Sequence, residues 1–122
     1  MLPAIHRLRS RSAISRVYQR GVFGRGDGLL TIKATPQART VAGLTPPSRA
    51  VVVVSKKIDK RAVVRNRLRR QLIEVFRSSL ETVSPGYDIV ITVQSDFRQS
   101  DVATIRSALH QALQRSGVSM SS

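Results

Sequence analysis

The side chains able to carry acid, base or metal chemistry are few and dispersed in this chain. Its seven acids are Asp27, Asp59, Glu74, Glu81, Asp88, Asp96 and Asp101, and its two histidines are His6 and His110. Cleavage of a phosphodiester by protein groups alone calls for paired carboxylates around two metals, or for two histidines serving as acid and base. Neither pattern is present, so the acids read as helix caps, turn residues and intrahelical ion pairs. With no cysteine, a disulfide framework, a zinc–thiolate site and a cysteine nucleophile are excluded. The stretch "GVFGRGDG" puts four glycines into eight residues. It lacks the Gly-Lys-Ser/Thr ending and the preceding strand of a phosphate-cradling loop, and reads as a mobile hairpin or loop.

Cations are what the chain has in excess. Lys56, Lys57, Lys60, Arg61, Arg65, Arg67, Arg69 and Arg70 stand against one acid, Asp59, a local charge of +7 that is half of the whole net charge of +14. Ordinary exposed helices mix signs to gain pairs one turn apart. Like charges at that spacing destabilise a free helix, so this cluster makes physical sense when a polyanion neutralises it. A field of this sign selects nucleic acid or an anionic membrane surface as partner. Spanning a membrane is excluded, because the longest strictly apolar run, Ala50 to Val54, falls far short of the roughly 20 residues required. The opening "MLPAIHRLRSRS" carries charge where an export signal needs apolar residues, which points to the cytoplasm.

The elements that position these residues follow from periodicity. At 41% apolar content, 122 residues suffice for one domain, with a core of Val, Leu, Ile and Ala because only 4% are aromatic and none is Trp. The domain is expected to span 1–122 with frayed ends at about 1–5 and 117–122. "SAISRVYQR" spaces Ile14, Val17 and Tyr18 as a short helix, with Ser10 or Ser12 as N-cap and Gly21 as stop. "LLTIKAT" and the β-branched "RAVVVVS" read as strands, the second covered on both faces. The segment Gln37 to Ser48 reads as a loop in which Pro46-Pro47 blocks sheet pairing.

A long helix is expected from about Ala62 to Leu80, where Val64, Leu68, Leu72, Val75 and Phe76 fall within an arc of about 120° and Asn66, Arg70 and Arg77 lie opposite. Arg61, Arg65 and Arg69 form a row beside the apolar arc. "YDIVITV" is a further strand. Asp101 to Arg115 repeats apolar positions as a last helix, which Gly117 stops. The sum is an α+β sandwich, helices on one sheet.

The run "SKKIDKRAVVRNRLRR" after a Val-rich strand resembles the signature of the bacterial ribonuclease P protein subunit. "RLRSRSAISRVYQRG" is similar to that family's opening helix, and "GYDIVITV" with the following amphipathic helix resembles its last two elements, so the likeness covers roughly His6 to Arg115. The resemblance implies the order α-β-β-β-α-β-α, a four-stranded sheet and a left-handed crossover, against the usual right-handed rule. It implies a subunit that partners a catalytic RNA and assists removal of the 5′ leader from precursor tRNA. The RNA holds the Mg²⁺, and the protein alone binds no cofactor or metal. Lys56, Lys57, Lys60, Arg61, Arg65, Asn66, Arg67, Arg69 and Arg70 would face the catalytic RNA, with Arg forks on phosphates and Asn66 on a base or sugar. A cleft between first helix and sheet would hold the single-stranded leader on Ile14, Tyr18, Ile32 and Lys33. Ile14 stands where the family pattern suggests Phe, which shifts the grip from stacking toward charge.

Three other classes fit parts of the pattern. A small basic ribosomal protein has this size and charge and would leave precursor tRNA cleavage unchanged. A DNA-binding regulator would need two helices joined by a short turn at the basic segment, which is absent, so DNA is not an expected partner. A self-contained nuclease would need the acid pairs that are missing.

Overall fold

The computed structural model describes residues 2–37 and 45–118. In chain order they form a 3-10 turn (Ala4–His6), α1 (Arg11–Arg20), β1 (Val22–Gly26), β2 (Leu30–Pro36), β3 (Arg49–Val53), α2 (Ala62–Ser78), a second 3-10 turn (Leu80–Thr82), β4 (Tyr87–Val93) and α3 (Val102–Arg115). This is the expected α-β-β-β-α-β-α order. The strands make one sheet in the order β1-β2-β4-β3. Pairing is antiparallel from β1 to β2 and β2 to β4, and parallel between β4 and β3. The helix α2 therefore serves as a crossover between parallel neighbours.

Strand alternation divides the apolar residues between two layers. Ile32, Val52, Ile89 and Ile91 point toward α2 and α3, where they meet Leu68, Leu72, Phe76, Leu109 and Leu113 in the main core. Val51, Val53 and Val90 point the other way and meet Ala13, Ile14 and Val17 of α1. The valine run of β3 is thus covered on both faces, as its composition suggests. Each fully buried Leu, Ile or Phe contributes about 1.5–3 kcal/mol, so the many buried side chains under α2 and α3 dominate stability. Of the residues in α1, only Val17 is buried. It is the lightly docked helix, and its flank of the sheet stays accessible.

Local chemistry explains the element ends. Ser10 caps α1 by accepting from the Ala13 N–H, and Asp101 caps α3 by accepting from the Thr104 N–H at 2.8 Å. At the far end of α3, Gly117 takes φ +79°. The Gly117 N–H then donates to Gln114 O and the Val118 N–H to Leu113 O, a Schellman closure. The parallel register is pinned by Arg49, which grips the buried Asp88 opposite it with two 2.8 Å bonds.

Within the ends expected to fray, Leu2 is 4% and Val118 0% exposed, and both belong to the main core. Of the two readings of "GVFGRGDG", hairpin or loop, the structure shows the hairpin: Val22–Gly26 is an edge strand, turned into β2 by Asp27 and Gly28 at φ 51° and 71°. Its glycines serve packing. A Cβ on Gly24 would collide with the carbonyl oxygen of Ala112, and one on Gly26 with that of Ala108. Only a side-chain-free strand face lets α3 lie this close. Of the expected loop Gln37 to Ser48, residues 38–44 lie outside the described residues, and Thr45–Ser48 carries no strand.

Candidate nucleic-acid interface

The loop and first turns of α2 carry the cation cluster, and the structure sorts its members by what they already hold. Arg61 closes on Asp59 through two guanidinium bonds of 2.9 and 3.0 Å, and its backbone N–H donates to the same carboxylate. Those bonds, with the charges of Arg61 and Arg98 added, hold the Asp59 carboxyl far below the ordinary range. Arg65 donates to the carbonyl oxygens of Lys60 at 2.8 Å and Asp59 at 3.1 Å. Arg69 donates to Asn66 Oδ1 at 2.6 Å. The row Arg61, Arg65, Arg69 thus spends part of its donor capacity shaping the loop and helix. Asn66 orients an arginine and keeps its amide nitrogen for a ligand.

Lys56, Lys57, Lys60, Arg67 and Arg70 are exposed, and their side chains make no hydrogen bond or ion pair among the described residues. They surround the N-terminal half of a helix whose apolar stripe, Val64, Leu68 and Leu72, is buried below. The helix lets one segment be both charged and apolar: one face belongs to the core, and the other presents cations ready for phosphates. The described acids have bland jobs, as expected. Glu74 pairs with Arg77, Asp96 with Arg98, and Asp101 caps α3.

Arg7 and Arg9 extend this surface in a way the sequence reading missed. Arg7 bridges to Ala50 on the open edge of β3, and its Nε donates to Leu2 O at 2.7 Å. Arg7, Arg9 and Arg69 then line one shallow groove across that edge. The basic surface runs from α2 past the β3 edge toward α1. Nothing in the spacing of "HRLRS" signals this, because the contact depends on a strand more than forty residues away.

On the α1 side, register defines the floor of the cleft. Phe23, Lys33, Val90 and Val51 lie side by side across the four strands, and Arg25, Thr31, Thr92 and Val53 form the next row. Tyr18 stands at the wall with 46% exposure. Lys33 Nζ donates to Tyr18 O at 3.1 Å and sits 6.0 Å from the centre of its ring. Ile14 is half-buried beside Val51 and Val53. Tyr18, Lys33 and Ile14 are therefore gathered at one cleft.

Ile32 is not. It is 0% exposed in the main core, on the opposite face of the sheet. Alternation forbids two adjacent strand residues from sharing a face, so Lys33 in the cleft requires Ile32 out of it. Phe23 was missed because its stretch reads as a hairpin or loop with no strand face assigned to it. It is 49% exposed, with the Arg25 guanidinium 5.9 Å from its ring centre. An aromatic on the strand thus supplies stacking surface that Ile14 does not.

Among the described residues no group of three or more His, Cys, Asp or Glu side chains gathers to hold a metal ion, and no helix is long and apolar enough to cross a membrane. His6 Nδ1 lies 2.9 Å from Ser48 O and His110 Nε2 lies 3.2 Å from Ser79 Oγ, so each ring is engaged with a structural partner.

Comparison with known proteins agrees with this geometry. The family model described as Ribonuclease P matches residues 2–117. A ribonuclease P protein component from Synechococcus sp. (strain JA-2-3B'a(2-13)) is 36% identical over 121 residues, covering 99% of this chain and 89% of that protein. One from Pseudanabaena sp. (strain PCC 6903) is 41% identical over 93 residues, 76% of this chain and 75% of that protein. Among solved structures, the ribonuclease P protein of Thermotoga maritima superposes with a TM-score of 0.74 at 26% identity, covering 89% of this chain and 96% of that one. The Staphylococcus aureus protein shares the fold with a TM-score of 0.72 at 19% identity, covering 93% and 96%. On the match of fold, length and motif together, the chain belongs to the ribonuclease P protein family.

Proposed function

We propose that the chain binds the catalytic RNA of ribonuclease P through α2 and the loop before it, and holds the 5′ leader of precursor tRNA in the cleft between α1 and the sheet. The observation that carries the reading is the set of five uncommitted cations, Lys56, Lys57, Lys60, Arg67 and Arg70, on one folded surface. Phosphates on that surface remove a self-repulsion that the free protein must carry. The cleft has exposed aromatics in Tyr18 at the wall and Phe23 on the floor, and cations in Lys33 and Arg25, the ingredients that grip a single strand with little sequence preference. In this reading hydrolysis falls to the RNA and its own Mg²⁺, in a cytoplasmic ribonucleoprotein; among the described residues no group of carboxylates gathers that would compete for it. The protein's share is affinity and positioning.

The test is recovery of the RNA that accompanies the tagged protein at moderate salt. A large structured RNA that cleaves precursor tRNA, more effectively with this protein than without it, is the expected result. Ribosomal RNA alone would overturn the reading in favour of a ribosomal protein.

A further inference from the structure

The side of α2 turned toward α3 is open. A groove of about 680 Å³ runs between the two helices, within the size range of small-ligand pockets. Its floor is apolar: Val75 and Ile105 are buried at 4% and 2%, while Val102 in the first turn of α3 is 55% exposed. Its rim is cationic, with Arg67 and Arg70 from α2 and Arg106 from α3. Glu74, the acid on the rim, is bonded to Arg77. Gln71 lines the groove, and its Oε1 is the one buried side-chain oxygen or nitrogen among the described residues that has no hydrogen-bond partner. A buried acceptor without a donor costs stability that a ligand supplying the donor recovers.

We propose that this groove takes one unstacked nucleotide of the bound RNA. The base lies over Val75, Val102 and Ile105, an amine or ring N–H on its edge donates to Gln71, and the phosphate meets the arginines at the rim. The proposal rests on the reading of α2 as an RNA-binding helix. Phosphate capture alone would give no use to the apolar floor or the buried acceptor. An apolar peptide would leave the Arg67 and Arg70 guanidinium groups and Gln71 without partners. A nucleotide satisfies all three features at once, because unpaired RNA bases are recognised by their faces and edges and RNA phosphates by arginine forks.

Methyl and side-chain amide NMR of the full chain, titrated with AMP and CMP, tests this directly. Ribose 5-phosphate and inorganic phosphate serve as base-free controls. The nucleotides should give saturable shifts of the Val75, Val102 and Ile105 methyls and the Gln71 amide, while the base-free phosphates shift arginine signals alone. Gln71→Leu removes the orphan acceptor, so it should keep or raise the thermal midpoint and weaken AMP binding at least fivefold. In complex with ribonuclease P RNA, the same substitution should lower affinity at least fivefold without changing its salt dependence, because no phosphate contact is lost. Methyls unmoved by AMP, or moved equally by ribose 5-phosphate, overturn the proposal, as does unchanged RNA affinity in Gln71→Leu. Failure to support precursor tRNA cleavage while AMP still binds would instead overturn the reading of function.

Discussion

Truncating Tyr18 separates leader binding from folding. The residue is 46% exposed, and Lys33 Nζ lies 6.0 Å from its ring centre. An exposed cation–π contact is worth about 0.5–1 kcal/mol, whereas truncating a buried aromatic costs about 3–5 kcal/mol. Tyr18→Ala should therefore cost about 1 kcal/mol of stability, which lowers Tm by roughly 4 °C in a domain of this size. If one leader base stacks on the ring, affinity for leader-bearing precursor tRNA falls by about 1–3 kcal/mol, or roughly 5- to 150-fold. Equilibrium binding of the reconstituted holoenzyme to precursor and mature tRNA measures the difference. Mature tRNA should be bound as before, and Tyr18→Phe should retain affinity because the ring face is preserved. Equal loss for both RNAs, or loss in neither, would refute the cleft assignment.

Other perturbations address the remaining parts. Lys56→Ala with Lys57→Ala should lower the dependence of log affinity for the catalytic RNA on log salt by about 1.4–1.8 if each meets one phosphate, and an unchanged slope would remove both from the interface. These lysines are a better probe than Arg65, which anchors two carbonyl oxygens of its own loop. Gly24→Ala should destabilise by about 1–3 kcal/mol in chemical denaturation, as overpacking does, because α3 must move away from β1. Asp59 has a folded pKa depressed first by the Arg61 side chain, so its stabilisation is complete above the ordinary carboxylate pKa and lost as pH falls through the folded value. The stability gap between wild type and Asp59→Asn should therefore be constant near neutrality and close only below about pH 4. A gap that persisted unchanged at the most acid pH would show that the carboxylate charge is not its source.

Sequence periodicity carried most of the architecture because the apolar residues of α2, α3, β3 and β4 repeat at helical or strand spacing, a local property. A hairpin was one of two readings of the glycine stretch, but the strand β1 in it was illegible because its glycines answer to the backbone of α3, almost ninety residues later. The cation cluster was legible from charge alone. Its division into committed and uncommitted members was not, since Arg65 and Lys57 look alike until the loop carbonyls are placed. Ile32 is the opposite case: strand parity, available from the sequence, already separates it from Lys33. Phe23 and Arg9 reached the candidate surfaces only through cross-strand neighbours, which no local pattern encodes.

The position of β4 in the sheet has a consequence for how the protein is made. β4 is the last strand among the described residues, yet it sits between β2 and β3, and β3 pairs with no other of the four strands. While residues up to Gly86 have left the ribosome and the next seven have not, β1 and β2 can form only a hairpin, which is marginal alone. The cations of α2 are already synthesised at that stage, but the surface that orders them is not. Sheet closure must wait for a long-range insertion, the kind of step that slows folding. A nascent chain stalled before Val93 therefore carries every cation of α2 and of the loop before it without the closed sheet that gives them a specific partner.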